Sequence, residues 1–524
     1  MTMSFHWYRP GVRIFTSLAM VTFFSAVAAI PGTCKAATIV DVGARKQLLF
    51  DELFLEQASG VRLQLNRPFQ DPEPVLVADQ PWERAIHAYN TVMRDHGKFR
   101  MWYNATGKGK IDHGDGEAKG ELFVGYAEST DGIHWEKPNL GLIDHNGSKQ
   151  NNILAPLDPG ARIGGASVFR DDYGPAEERY KFWTKYYPSK EETARGIRQG
   201  TYAWVSPDGL HWKMLGPDQG YPLSRGNASD SQNICFWDAD LEKYIGFVRK
   251  KRMGPPPRNR TCWVGLLTSD DFEHWTMAED IFRADEQFDV PGGKPQWLPP
   301  VDLYTPGGMK VPGVPNAYIL LPTYYYHWAR DQSPATIDVG LATSRDLVDW
   351  WRPTPEDREP FLRLGPDGSA FSGMLFANPQ PIVVGNEIWI YYAGLGRNHR
   401  GGGTSRGTGI FRATLRHDGF VSVDAGYRGG EFTTPVMTFA GDHLELNLDG
   451  SAGGWLQVEI QSPDGTPIPG YRLDRCDTIR GNSLAKQITW RGEEDVAKIS
   501  GKPIRLRFVM RSMKLFAFQF TRME

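Results

Sequence analysis

The chain has 524 residues, of which 40% are hydrophobic and 12% aromatic, which excludes a largely disordered protein and a small disulfide scaffold. Its 59 basic and 62 acidic residues give a net charge of −3. This near-neutral balance provides no electrostatic surface for nucleic acid or for an anionic membrane, so we expect an uncharged or small partner.

The N-terminal segment has the pattern of an export signal. Arg9 and Arg13 precede an uncharged apolar run of 17 residues, from Ile14 to Ile30, that ends in small residues. This order predicts a secretory signal peptide over residues 1–37. A membrane anchor is the alternative, but crossing the bilayer needs about 20 apolar residues and this run also contains Thr and Ser. We expect a secreted or periplasmic protein with no stable membrane insertion after signal cleavage.

Cysteine usage indicates little chemistry. Removal of Cys34 with the signal leaves Cys235, Cys262 and Cys476, an odd number without metal-type spacing. Cys235 lies in an apolar strand pattern, which favours a buried inert thiol over a disulfide with Cys262. The sequence therefore predicts no metal site and no cofactor.

A short repeat organises the central part of the chain. The pattern Ser-x-Asp-x-x-x-Trp occurs four times, each time after an apolar strand, at 129–135, 206–212, 269–275 and 344–350, with a degenerate fifth copy at 413–420. Ahead of each copy lies a hairpin of β-rich segments joined by turn residues. We expect the Ser and Asp to bond backbone N–H groups of the turn and the Trp to pack between neighbouring sheets. These residues are therefore predicted to be structural.

Five such units, each of 60 to 80 residues, predict the blades of a β-propeller, because one blade cannot cover both of its faces but neighbours in a ring can. A stack of separate sandwiches is the alternative. Beyond residue 430 the repeat ends, and close strand patterns with turns at Asp449-Gly450 and Pro463-Asp464-Gly465 suit an antiparallel β-sandwich. The predicted fold is all-β, with a signal peptide at 1–37, a five-bladed β-propeller at 38–430 and a C-terminal β-sandwich at 431–524.

The strand followed by its repeat, above all Gly340 to Trp350, resembles the five-bladed propeller glycosidases related to glycoside hydrolase families 32 and 43. The terminal sandwich is similar to the one that family 32 enzymes carry behind the propeller. The resemblance spans roughly residues 45–524 and implies a poly- or oligosaccharide substrate cleaved by carboxylate acid–base hydrolysis.

The family motifs for the reaction are missing or altered. The nucleophile motif Trp-Met-Asn-Asp-Pro-Asn-Gly is absent, and the Glu-Cys acid motif has no match. The Arg-Asp-Pro motif survives only as Arg170-Asp171 followed by Asp172, and both aspartates are expected in a loop. Invertase or levanase activity therefore does not follow, and a non-catalytic carbohydrate-binding or cell-surface propeller is the alternative function.

Carboxylates near the starts of inner strands are the catalytic candidates, because these starts face the central funnel of a propeller. Hydrolysis needs two carboxyl groups about 5 to 9 Å apart. We predict Asp230 and Glu83 as this pair, with Asp51 or Asp302 tuning a pKa. Structural alternatives are loop closure by Asp230, a surface ion pair of Glu83 with Arg84, and a ring-closing strand that contains Asp51.

Polar, basic and aromatic residues near the same strands are predicted to bind the substrate. They are Trp82, Arg84, His87, Asn90, Gln232, Asn233, Arg249, Tyr304, Arg397 and His399. The arginines suit a carboxylate or sulfate on an acidic sugar, and solvated loop charges are the alternative. A histidine in the position of His87 can equally be a structural group.

Overall fold

Strands dominate the computed structural model, which describes residues 39–112, 118–156, 158, 160–215, 231–253, 260–284, 301–328, 335–353, 359–399 and 408–522. The helical segments in these ranges are short: the α-helix Lys190–Ala194 and the 3-10 turns Glu52–Phe54, Ala176–Glu178, Leu473–Arg475 and Ala497–Ile499. The predicted all-β propeller class is confirmed. The predicted signal peptide lies outside the described residues. Among the helices that are described, none is long and apolar enough to span a bilayer.

Four sheets of four antiparallel strands follow one another along the described chain. The first contains Glu83–Asp95, Lys98–Asp112, Ala118–Ser129 and Ile153–Ala155. The second contains Arg162–Arg170, Tyr180–Tyr187, Gly200–Ser206 and Lys213–Met214. The third contains Ile234–Asp238, Lys243–Met253, Arg260–Ser269 and Glu279–Arg283. The fourth contains Gly308–Lys310, Tyr318–Leu320, Ala342–Ser344 and Trp350–Trp351. The hairpins predicted ahead of the first three repeats are present.

A nine-stranded sheet takes up the other strands of the ring. Its strands are Val301–Leu303, Thr323–His327, Ala335–Val339, Met374–Ala377, Ile382–Val384, Glu387–Leu395, Thr408–Arg416, Phe69–Gln70 and Leu76–Val77. A single parallel pair, Ile337 with Met374, joins its two halves. The hydrogen-bonded sheets therefore do not confirm the predicted count of five separate blades.

The ring is closed by a segment near the N-terminus. Phe69–Gln70 and Leu76–Val77 pair with Thr408–Arg416. The segment at 48–56, for which a closing strand was expected, instead forms a 3-10 turn at Glu52–Phe54 with Asp51 as its N-cap. The prediction that this segment closes the ring is therefore wrong. Its apolar residues instead pack into two hydrophobic cores.

The Ser–Asp–Trp repeat forms the predicted turn. In the first copy, Ser129 Oγ accepts the N–H groups of Asp131 and Gly132, and Asp131 Oδ1 accepts the N–H groups two and three residues further on. Trp135 Nε1 donates to the carbonyl of Gly132. The other three complete copies repeat these bonds. The structural role predicted for these residues is confirmed.

Three buried aspartates at the ends of inner strands connect neighbouring sheets. Each accepts a hydrogen bond of 2.5 to 2.6 Å from a tyrosine of the following sheet. Each also forms an ion pair with a nearby cation. The aspartate, tyrosine and cation sets are Asp95, Tyr180 and Arg100; Asp171, Tyr244 and Lys181; and Asp238, Tyr318 and Lys310. Asp171 also accepts the turn N–H groups of Tyr173 and Gly174, as a loop position would. These contacts hold successive sheets around the axis.

An eight-stranded antiparallel sheet combines strands from before and after the ring in the chain. Its strands are Gln47–Leu48, Gln57–Ser59, Val61–Leu65, Val421–Ala425, Gly430–Thr433, His443–Gln461, Asn482–Gln487 and Arg505–Thr521. The strand His443–Gln461 continues through the predicted turn at Asp449-Gly450, with a bulge between Gly450 and Trp455. The prediction of a turn at Asp449-Gly450 is therefore wrong. The turn at Pro463-Asp464-Gly465 is present. Val40–Gly43 and Met437–Phe439 add a short parallel pair.

The inner strands converge on the axis. Gln232 Nε2 donates to the carbonyl of Asn90 at 3.0 Å, which links the third sheet to the first. Gln380 Nε2 donates to the carbonyl of Val168 at 3.1 Å, which links the nine-stranded sheet to the second. These contacts bring residues more than 100 positions apart to one point in the ring.

Candidate functional site

Two bulges interrupt the inner strands next to the axis. In the first sheet the register shifts between Ile86 and Asn90, so His87 and its neighbours leave the regular ladder. In the second sheet the shift falls between Gly164 and Ser167. Bulges redirect side chains and are frequent beside active sites. The first one contains His87, whose ring lies beside that of Tyr89 on the same strand.

These rings form a continuous set across the ring of sheets. Centroid distances are 5.3 Å for His87–Tyr89, 5.9 Å for Tyr89–Phe376, 5.8 Å for Phe376–Tyr304, 5.6 Å for Tyr304–Tyr325 and 5.6 Å for Tyr304–His399. Tyr325 and His399 also share a hydrogen bond of 2.8 Å, between Oη and Nδ1. We name His87, Tyr89, Tyr304, Tyr325, Phe376 and His399 the axial cluster.

A carboxylate–imidazole pair adjoins the axial cluster. Asp302 Oδ2 lies 3.1 Å from His327 Nε2, and Asp302 Oδ1 accepts the backbone N–H of Cys262. The imidazole of His327 lies 4.2 Å from the ring of Tyr325. An ionised Asp302 favours the His327 tautomer protonated at Nε2. His327 Nδ1 is enclosed and has no hydrogen-bond partner in the described part of the chain. This pair can hold and transfer a proton.

Arg249 contacts the same cluster. The Arg249 guanidinium lies 4.5 Å from the centre of the Tyr304 ring, and the Arg249 backbone N–H donates to Asn233 Oδ1. Arg397 is exposed and forms no ion pair with any residue of the described ranges. Burial, with the charges of Arg397, Arg162 and His399, lowers the pKa of His87 to about 4. His87 is therefore a neutral imidazole in a positive environment.

Buried polar atoms continue along the axis. Asn90 is 1% exposed, yet neither atom of its side-chain amide has a hydrogen-bond partner within the described residues. The hydroxyl of the buried Ser167 is in the same situation. Protein interiors normally satisfy such atoms, with water or a ligand where no side chain does so. The axis is thus polar where it meets the axial cluster. Within the described residues, no three His, Cys, Asp or Glu side chains gather as metal ligands would.

Most of the predicted substrate-binding residues come together here. His87, Tyr304 and His399 belong to the axial cluster, Arg249 contacts it, and Arg397 acts on His87. Asn90, Gln232 and Asn233 are buried on the adjoining inner strands. Asp302 is the predicted catalytic residue that lies beside them.

Glu83 occupies a different place. Its carboxylate is fully enclosed, 2.6 Å from Lys137 Nζ and 2.6 Å from Tyr103 Oη, and accepts the N–H groups of Asp79 and Gln80. This network is a structural ion pair at the start of the first sheet. Nearby, Trp82 Nε1 donates to Asn152 Oδ1, and Arg84 is exposed. No described contact brings Trp82, Glu83 or Arg84 to the axial cluster.

Asp51 is also engaged elsewhere. Both of its oxygens contact the guanidinium of Arg345, at 2.6 and 2.9 Å, and Oδ1 accepts the N–H of Leu53. It therefore joins the N-terminal segment to the fourth sheet. Asp230 lies outside the described residues and stays a prediction.

Five residues near the site were absent from the sequence prediction: Arg162, Tyr89, Tyr325, His327 and Phe376. Alternation in the strand Thr323–His327 places Tyr325 and His327 on one face, so the period of two could have indicated them. Trp328 follows directly, 58% exposed, and is held by a 2.7 Å bond from Nε1 to Thr336 and by stacking on Tyr326. The other three depend on pairings between sheets that local patterns do not specify.

Comparison with curated proteins finds two relatives, both uncharacterised proteins of Mycobacterium tuberculosis, from strains CDC 1551 / Oshkosh and ATCC 25618 / H37Rv. Each is 31% identical over 171 residues, which cover 33% of this chain. The chain spans 45% of the length of these relatives. No protein-family model matches the chain.

Several solved structures share part of the architecture. A glycosyl hydrolase from Bacteroides ovatus aligns with a TM-score of 0.44 at 17% identity, over 71% of this chain and 97% of that one. The β-1,2-mannobiose phosphorylase of Listeria innocua aligns with a TM-score of 0.44 at 13% identity, over 66% and 96%. An N-acetylgalactosamine deacetylase from F. plautii gives 0.39 at 14%, over 70% and 96%. At these scores the likenesses carry no conclusion about the activity of this chain.

Proposed function

We propose that this protein binds an oligo- or polysaccharide at the axial cluster and hydrolyses it. The observation that supports this is the convergence of aromatic rings from distant parts of the chain in the axial cluster, with Arg249 in contact and buried polar atoms on the adjoining strands. Concave sites with aromatic walls and a few placed polar groups are typical of small-molecule binding. Sugar rings present apolar C–H faces to aromatic rings and hydroxyls to polar groups.

Each part of the site has a chemical task in this proposal. The ring of Tyr304 is half-buried and is held by Arg249 and Tyr325, so its exposed part supplies the aromatic contact to a sugar. Asn90 and Arg249 bind hydroxyls. Asp302 and His327 exchange a proton with the glycosidic oxygen or with water. Hydrolysis requires a second carboxylate, and Asp230 stays the predicted one.

Carbohydrate binding without catalysis is the second candidate. One observation favours it. Among the described residues, Asp302 is the one carboxylate whose contacts place it beside the axial cluster. A site with one carboxylate can bind a sugar but lacks the pair on which acid–base hydrolysis depends.

A panel of plant, algal and bacterial polysaccharides tests both candidates, with released reducing ends measured alongside binding. We expect Asp302→Asn to lower turnover about 100-fold or more, the usual contribution of a general acid or base. Asp349→Asn, at an exposed aspartate of the fourth repeat, is the matched control and should keep full turnover. Full turnover in Asp302→Asn would refute hydrolysis at this site, and binding without turnover by the unaltered protein would favour the second candidate.

The architecture proposed with this function is a ring of five blades. Because a single residue pair joins the two halves of the nine-stranded sheet, the strands after Met374 supply the fifth blade, completed by Phe69–Gln70 and Leu76–Val77. Export by a signal at 1–37, a propeller at 38–430 and a terminal sandwich at 431–524 belong to the same proposal.

A further inference from the structure

We propose that the eight-stranded sheet carries a second saccharide-binding site, which takes a neutral polysaccharide chain across its outward face. The site consists of a polar cavity of about 560 Å³ at one end of this face and of the exposed ring of Tyr427 towards the other. This inference goes beyond the proposed function, because it assigns binding to a part of the chain that contributes no residue to the axial cluster.

Alternation along two neighbouring strands defines this face. In Arg505–Thr521, Leu506, Phe508 and Met510 are fully buried, and the residues between them are half-buried on the opposite face: Arg505, Arg507, Val509 and Arg511. The strand His443–Gln461 places four residues directly opposite these and therefore on the same face: Gln461, Glu459, Gln457 and Trp455. Because Arg505 and Arg511 are six residues apart, this line is about 20 Å long.

The polar cavity lies at the Arg505 end of this line. Its walls come from residues 57–59, residues 431–433 and the turn that follows Gln461, together with Arg505 and Arg507. The guanidinium of Arg505 donates to the carbonyl oxygens of Pro463 and Thr434, at 3.0 and 3.1 Å, and pairs with Glu56. Arg505 is thus already fixed, and a fixed group loses little conformational freedom when a ligand binds.

An ion pair in the cavity wall presents a donor beside an acceptor. Arg507 and Glu431 are both partly exposed and lie 2.6 Å apart. A guanidinium has five N–H donors and a carboxylate has about four acceptor positions, so this pair keeps capacity for a ligand. Neighbouring hydroxyls of a sugar each donate and accept, which matches a donor and an acceptor held side by side.

The charges of the cavity favour a neutral chain. Two arginines and two carboxylates line it, namely Arg505, Arg507, Glu431 and Asp464. Each arginine is also neutralised by a carboxylate behind it, Glu56 for Arg505 and Glu459 for Arg507. The lining therefore does not select an anionic chain, and its paired donors and acceptors suit uncharged hydroxyls.

Tyr427 supplies an aromatic surface towards the other end of the line. It lies between the strands Val421–Ala425 and Gly430–Thr433 and is 78% exposed. The guanidinium of Arg511 lies over its ring, 4.1 Å from the centre, and holds it in place. Trp455, directly opposite Arg511, adds a half-buried aromatic side chain. The exposed part of the Tyr427 ring suits the apolar C–H face of a sugar.

Affinity electrophoresis of the folded full chain tests the proposal. The protein is run through native gels that each contain one polymer: mixed-linkage β-glucan, galactomannan or arabinoxylan as neutral probes, and polygalacturonate as the anionic probe. We expect at least one neutral polymer to retard the protein and polygalacturonate to leave its mobility unchanged. The dependence of mobility on polymer concentration gives the dissociation constant.

Two variants address the two ends of the site. Tyr427→Ala, at an exposed ring, should weaken binding of the neutral polymer about tenfold. Glu431→Ala should also weaken it about tenfold, because a hydrogen bond to a charged acceptor is lost. Tyr173→Ala, at an exposed tyrosine that follows an inner strand of the second sheet, is the matched control and should bind like the unaltered chain.

A variant of the axial cluster separates this inference from the proposed function. Tyr304→Ala should still be retarded by the neutral polymer, and Tyr304→Ala/Tyr427→Ala should lose most of that retardation. Retardation that Tyr304→Ala abolishes, or that neither Tyr427→Ala nor Glu431→Ala weakens, would overturn the site on the sheet and leave the proposed function in place. Retardation by polygalacturonate alone, or by no polymer, would also overturn it, whereas the proposed function is decided by turnover in Asp302→Asn.

Discussion

Replacement of Glu83 by glutamine should destabilise the fold without acting on the chemistry. Glu83 and Lys137 form an enclosed ion pair of 2.6 Å, with side-chain exposures of 0% and 5%. Glutamine keeps the shape and the acceptor for the N–H groups of Asp79 and Gln80, but it removes the charge opposite Lys137. Breaking a buried pair from one side costs about 3 to 5 kcal/mol.

The lower end of that range applies here. Lys137 Nζ keeps two other partners in the variant, the half-exposed carboxylate of Asp79 and the carbonyl of Val77, each at 2.7 Å. We therefore expect a loss of about 3 kcal/mol in the free energy of unfolding. For the unit Ile39–Glu524, an unfolding entropy of ~2.1 cal/mol/K per residue totals about 1 kcal/mol/K, so the melting temperature should fall by about 3 °C.

Differential scanning calorimetry at one scan rate measures this shift. Glu52→Gln, at an exposed carboxylate, should change the melting temperature by less than about 0.5 °C. The double variant Glu83→Gln/Lys137→Met should recover most of the loss, because it removes both charges together. A Glu83→Gln protein that melts like the unaltered chain but has lost all saccharide turnover would refute the structural assignment and restore the catalytic one.

Two further predictions concern acid stability and the rim of the site. Burial raises the pKa of Asp238, but the bonds from Lys310 and Tyr318 outweigh it and lower that pKa overall. This carboxylate therefore stabilises the fold above the ordinary carboxyl pKa of about 3.9 and ceases to do so as the pH falls below it. Asp238→Asn should be less stable at pH 7 and show a flatter decline between about pH 4 and 2 in urea midpoints; an unchanged decline would contradict this. Trp328, exposed but fixed by Thr336 and Tyr326, should stack on a sugar ring outside the axial cluster. Trp328→Ala should weaken binding of long oligosaccharides about tenfold, the effect of one lost stacking contact of about 1.4 kcal/mol, and leave a monosaccharide unaffected. Equal losses for both ligands would contradict an outer subsite.

The sequence was informative where the determinants are local. The Ser–Asp–Trp turns bond within seven residues, so a repeated string was enough to find them and to assign them a structural role. His87, Tyr304 and His399 were predicted from the rule that inner strands and the loops near them face the axis. The structure places these residues in the axial cluster, and their binding role stays a prediction.

Long-range pairing explains what the sequence missed. Glu83 was predicted to be catalytic because its ion-pair partner, Lys137, is 54 positions away, and no local sequence pattern indicates that pairing. Phe376 and Arg162 reach the site only through the order of the sheets. The continuous strand His443–Gln461 was divided because Asp449-Gly450 is a strong turn signal, which a glycine-containing bulge overrides.

The pairing of early strands with late ones constrains how the polypeptide is made. Phe69–Gln70 needs Thr408–Arg416, and Val61–Leu65 needs Val421–Ala425, so the opening segment has no hydrogen-bonding partner until more than 300 further residues have been synthesised. Such non-local contacts slow folding and leave strand edges open in the nascent chain. The ring can therefore close only late in synthesis, and truncation before residue 408 removes the partner of the first strands together with the last strands of the nine-stranded sheet.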